Sequence, residues 1–112
     1  MSKKTELFQI KEFVSWLVLE KQFSVGSSNS YKSYLLTFSK VFGSVLPHPS
    51  QFEKMVDDHD CNSIQNEFDN FLYALKLEKD SSSPRIKSKT ISNIKSALSM
   101  YSEFLIGLSK KR

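Results

Sequence analysis

The sequence predicts an all-α fold, a bundle of four main helices plus one short extra helix. Three observations carry this. Among 112 residues there are only three glycines and three prolines, too few for the turns of a β-sandwich. Apolar residues recur three and four positions apart over long stretches, the spacing of one helix face. No segment sustains a period of two, so no strand is expected. The length suits a single domain over residues 1–112, since domains run about 100–200 residues.

Each element can be justified in order. Residues 5–21 read as the first helix, with Thr5 as a possible cap and Ile10, Phe13, Val14 and Leu17 on one face. Phe8, Trp16 and Leu19 fall outside that stripe, so this helix is apolar on more than one side and either lies centrally or leaves surface for a partner. A polar connection from Gln22 to Gly26 follows. Ser27 or Ser28 then offers an N-cap for a helix over about 28–43. Its stripe is Tyr31, Tyr34, Leu35, Phe38, Val41, Phe42 and Val45, and Gly43 stands at the helix end. Pro47 and Pro49 forbid a continuous helix through the next connector. Ser50 can cap a short helix bearing Phe52, Met55 and Val56. Asn62 or Ser63 can cap a helix over about 62–79, with Ile64, Phe68, Phe71, Leu72 and Leu75 as its stripe. The polar stretch 79–89 contains Pro84 and reads as a loop. Ser88 or Lys89 begins the last helix, to about 107. Its apolar residues Ile91, Ile94, Leu98, Tyr101, Leu105 and Leu108 have the cleanest periodicity in the chain.

The net charge of +4 is unevenly placed. Residues 1–46 hold six basic and three acidic side chains, residues 47–80 three and eight, and residues 81–112 seven and one. Two basic blocks therefore flank an acidic middle, which is expected to face away from any polyanion. Such blocks attract phosphate, although charge runs are also common on solvated helix faces.

Several function classes find no support. No nucleophile is paired with a base. The three glycines are isolated, so no phosphate-cradling loop and no cofactor are expected. His59 stands among Asp57, Asp58, Asp60 and Cys61, but without zinc-ligand spacing or a second cluster, so a loop is expected rather than a metal site. Cys61 is the only cysteine, which excludes an internal disulfide. No apolar run reaches the roughly 18–20 residues of a membrane span, and the N-terminus lacks a secretory core, so a cytoplasmic protein is expected.

Polar faces are more informative. Opposite the last helix's apolar stripe lie Lys89, Ser92, Asn93, Ser96 and Ser99, with Lys95 at the flank. Short side chains let a helix approach a groove closely, Asn can pair with base edges, and Ser can reach bases or phosphates. Arg85 and Lys87, just upstream, could grip phosphates. The second helix opens similarly, with Ser27, Ser28, Asn29, Ser30 and Lys32, suggesting two anchors on one phosphate backbone.

Order and spacing of these motifs resemble a known family. Phe13, Val14, Trp16, Leu17, Leu19, Glu20 and Lys21, then Ser27 and the Tyr31 to Leu35 stretch, are similar to the opening of the core-binding domain of tyrosine recombinases (phage integrases). The run from Lys89 to Leu105, with Ser96, Ala97 and Leu98 at its centre and Tyr101 and Phe104 in its tail, resembles that domain's last helix. The resemblance spans roughly Leu7 to Leu108. It implies two crossed helical hairpins forming half of a clamp on double-stranded DNA, with no catalytic residue in this chain. A separate C-terminal catalytic domain would follow, and sister recombinase subunits would assemble with it. The isolated domain would be monomeric. Carried over by position, the DNA-facing residues would be Ser27, Ser28, Tyr31 and Lys32, with Lys87, Lys89, Thr90, Asn93 and Ser96 from the last helix. Arg85 and Lys95 join them on charge. A different reading is a helical protein-interaction module with a basic surface, favoured by the extra apolar surface of Phe8, Trp16 and Leu19.

Overall fold

The computed structural model describes residues 7–111, the Ser44 side chain excepted. The described residues form helices and no strand: α1 (Ile10–Leu19), α2 (Val25–Val41), α3 (Pro49–Asp57), α4 (Cys61–Lys79) and α5 (Ser88–Lys111), with a single 3-10 turn at Gly43–Val45. The four main helices and the short extra one are as the periodicity predicts. Helices α1 and α2 pack together, as do α4 and α5; α2 also packs along α5, and α3 sits against α4 and α5.

The helix starts depart from the expected ones, each for a local reason. Thr5 lies outside the described residues. Leu7 to Gln9 are not helical, because Gln9 takes a left-handed backbone (φ 57°) that turns the chain before α1. Ser24, rather than Ser27 or Ser28, caps α2, its hydroxyl accepting from the Ser27 N–H at 3.0 Å. His48 caps α3 in place of Ser50. Its ring Nδ1 accepts from the Ser50 N–H at 3.1 Å, the Gln51 side chain accepts from the His48 N–H at 3.0 Å, and Pro49 takes the first helical position. Asp60 caps α4, accepting from the Ser63 N–H and hydroxyl at 3.1 and 2.7 Å; these bonds, the hydroxyl's first, hold its carboxyl below the usual range. Asn62 and Ser63 already lie on the first helical turn, so Asp60, just ahead of Cys61, is the residue whose side chain meets the Ser63 N–H.

Aromatic rings fill the centre. Tyr101 of α5 is buried and lies edge-on to Phe13 of α1 (5.2 Å between centroids), Phe68 of α4 (5.7 Å) and Phe52 of α3 (6.5 Å). Its hydroxyl donates to the Phe8 carbonyl, and burial pushes the phenol pKa upward. Phe8 is thereby tied into the core, and Trp16 is half-buried against Phe13 and Phe104. The extra apolar surface expected on α1 therefore shrinks to Leu19, which is 76% exposed.

The ends of α5 are pinned to different partners. At its start, Glu78 of α4 is buried and accepts from the Arg85 guanidinium at 2.9 and 3.2 Å and from the Arg85 N–H, while that guanidinium also covers the ring of Phe42, the residue that ends α2. At its far end the Ser109 carbonyl accepts from His59 Nδ1 at 2.6 Å, ahead of α4. Helix α4 therefore runs antiparallel to α5. Lys21, just before α2, pairs with Glu103, whereas Phe42 at the end of α2 meets Arg85. Helix α2 too runs antiparallel to α5.

The Glu78 pair carries a pH prediction. Hydrogen bonds from the Arg85 side chain, then its backbone N–H, hold the Glu78 carboxyl below the ordinary range. A lowered folded pKa contributes stability above the unfolded value of about 4.3, and that stability is lost as pH falls through the folded value. Between pH 5 and 3 the wild type should lose more stability than Glu78→Gln, read from urea midpoints. Equal losses in both proteins would mean that the pair adds nothing to acid sensitivity.

Candidate nucleic-acid interface

Five lysines gather around the start of α5. Lys87, Lys89 and Lys95 are exposed on or just before α5, and Lys76 and Lys79 are exposed on the last turns of α4. Among the described residues none of the five has a carboxylate within salt-bridge distance; the ion pairs there are Lys21 with Glu103, Lys54 with Asp58 and Arg85 with Glu78. The Ile91 N–H bonds to the Lys87 carbonyl at 2.9 Å, which makes Lys87 the N-cap residue. A lysine side chain has no acceptor, so it cannot cap the first N–H groups of α5. Those donors and the helix dipole add to the positive potential there.

From this patch the outer face of α5 continues as Lys89, Ser92, Ser96 and Ser99, all exposed and stepping by three and four. The apolar stripe occupies the opposite side, so beyond Lys89 the face is free of large side chains for about two turns. Asn93 is half-buried on the flank away from α4.

Four expected contact residues are placed differently. Ser28 is fully buried, and its hydroxyl has no partner among the described residues, so it cannot touch a ligand in this conformation. Positions 28, 31, 35, 38 and 42 step by three and four, which makes Ser28 the first member of the α2 core stripe. Tyr31 is half-buried, its ring edge-on to Phe23 at 5.2 Å and near Tyr34 at 6.3 Å. Thr90 is half-buried next to Ile91, on the core side of the first α5 turn. The Arg85 charge is matched by Glu78. Ser27 remains exposed and Lys32 half-exposed at the start of α2.

The two anchor regions are also separated. Because α2 runs against α5, its start lies toward the Glu103 level, and about 20 Å of helix separates Ser88 from Glu103. A span of about 20 Å corresponds to roughly 12 phosphates of duplex at one charge per 1.7 Å. The two starts thus lie too far apart to form one cluster.

Charge segregation differs from the block tally. Lys76 and Lys79 belong to the acidic middle by sequence, yet α4 carries them to the basic end. Asp57, Asp58 and Asp60 lie at the other end, where His59 meets Ser109 just before Lys110 and Lys111. One end of the bundle is therefore strongly basic, and the other mixes both signs.

No three His, Cys, Asp or Glu side chains gather as a metal-binding set among the described residues. Among them too, no helix is long and apolar enough to cross a membrane. No family model, curated protein or solved structure matches this chain.

Proposed function

We propose that this chain is a duplex-DNA-binding domain of the tyrosine recombinase type, acting in the cytoplasm and relying on a separate domain for strand cleavage. Integration or recombination of DNA would be the work of the larger assembly, with sister subunits. The observation that supports it best is the α5 start: exposed lysines with no acidic partner among the described residues lead onto a helix face of short polar side chains. Phosphate contacts from Lys87, Lys89 and Lys95 would supply most of the affinity, and Ser92, Asn93 and Ser96 a modest sequence preference. Ser27 and Lys32 would meet the backbone further along the duplex.

A second reading, a protein-interaction module, draws on the exposed Leu19 and Val25 at the α1–α2 connection, 76% and 65% accessible. Titrating a 20-base-pair duplex into labelled protein at low salt separates the two. Amide shifts at residues 27–32 and 85–96 are expected. Silence at both segments would reject the DNA reading and leave the interaction module.

A further inference from the structure

We propose that the groove between α4 and α5 docks an acidic amphipathic helix of a partner protein. The groove measures about 550 Å³. Its floor is apolar, formed by Leu72, Leu75 and Ile91. Lys76 and Lys79 rise on the α4 side, and Lys95 stands across on α5. Asp69 is the one carboxylate on the lining. The Tyr73 ring forms the outer lip and is 62% exposed; Leu77, one turn on, is 55% exposed and extends the apolar surface.

Floor and rim together choose the occupant. Leu75 and Ile91 are already buried, but the half-exposed Leu72 and the exposed Tyr73 and Leu77 favour a ligand that covers them. A DNA backbone would satisfy the lysines but leave Leu72, Tyr73 and Leu77 uncovered. A neutral apolar helix would cover the floor but strand three lysines beside it without counter-charge. A helix with an apolar stripe flanked by carboxylates meets both demands. Two antiparallel helices also present a furrow into which the ridge of a third can pack. Lys95 and Ser92 border both this groove and the outer α5 face, so such a helix would compete with DNA for part of the basic end. The docking proposal itself does not rest on the DNA reading.

The test uses the whole chain and three 18-residue helical peptides. Each peptide carries a leucine stripe of different width flanked by glutamates, and each has a counterpart with lysines for the glutamates. At least one acidic peptide should shift amides of residues 69–79 and 88–95, while the lysine peptides should not. The Lys76→Gln/Lys79→Gln double variant should weaken binding about tenfold or more, and Tyr73→Gln roughly fivefold, for lost charge and lost contact respectively. Both substitutions sit on exposed positions and keep good helix formers, and circular dichroism checks that the fold persists. Three outcomes overturn the proposal: no acidic peptide shifts these residues, the lysine peptides bind equally well, or a 20-base-pair duplex shifts residues 69–79 where the peptides do not. The last would assign the groove to a nucleic-acid surface.

Discussion

Tyr101→Ala is expected to cost about 3–5 kcal/mol, the range for removing a large aromatic from a packed core. Against the total of roughly 5–15 kcal/mol typical of a domain, that removes about a fifth or more of the stability. The reason is position. Tyr101 is 1% exposed and touches rings from α1, α3 and α4, so one side chain joins four helices. The resulting cavity would be walled by Phe13, Phe52 and Phe68, which belong to three different helices and cannot all collapse into it together. Tyr101→Phe separates packing from hydrogen bonding. It keeps the ring and removes only the donor to the Phe8 carbonyl, at a cost of about 1 kcal/mol. The two variants should therefore differ by a factor of about three or more in ΔΔG, read from urea unfolding at constant slope. Similar losses would show that the bond to residues ahead of α1, rather than ring packing, holds the core.

Much of this fold was legible in the sequence because burial follows periodicity. The α4 and α5 stripes named from spacing are buried at Ile64, Phe68, Phe71 and Leu75, and at Ile91, Ile94, Leu98, Tyr101 and Leu105. Helix starts were less legible, since several neighbouring residues can cap. Asp60, Asn62 and Ser63 all bear a side-chain acceptor, and only the path of the chain decides which one meets a free N–H. His48 is a poorer capping residue by preference, yet Pro49 beside it fixes the turn that brings its ring nitrogen to Ser50.

The site was legible where it lies on one helix and obscure where it is shared. The polar α5 face follows from spacing alone. Ser28 carried a readable signal, its place three residues before Tyr31 on the apolar stripe, but a serine invites a capping role and hides a core one. Lys76 and Lys79 were hidden by counting charge along the chain. Their contribution depends on α4 ending beside the start of α5, which only the packing of the two helices establishes. Arg85 erred the other way: a basic residue in a polar loop is offset by Glu78, seven positions earlier and otherwise unremarkable.

Lys87→Gln/Lys89→Gln should weaken duplex binding about 60-fold at 0.1 M salt. Each phosphate neutralised on duplex DNA contributes about 0.9 to the slope of log K against log[salt], so two lost contacts flatten it by about 1.8. Extrapolated to 1 M salt the two proteins should converge, because the lost term is counterion release and not a fitted contact. The substituted side chains are exposed and precede or open α5, so the fold should be unaffected. Lys110→Gln/Lys111→Gln removes the same charge from the other end of α5, where Asp57, Asp58 and Asp60 stand nearby. If the basic end is the binding surface, this control keeps nearly the full slope, although both variants have the same net charge. Equal flattening in the two variants would mean that DNA responds to overall charge and that the α5 start has no special part. An unchanged slope in Lys87→Gln/Lys89→Gln would remove those lysines from the interface. Arg85 serves as a further discriminator in physical terms: its guanidinium already faces the Glu78 carboxylate, so releasing it to a phosphate would strand a buried charge. The lysines carry no such cost, which is why the steep salt dependence should reside with them.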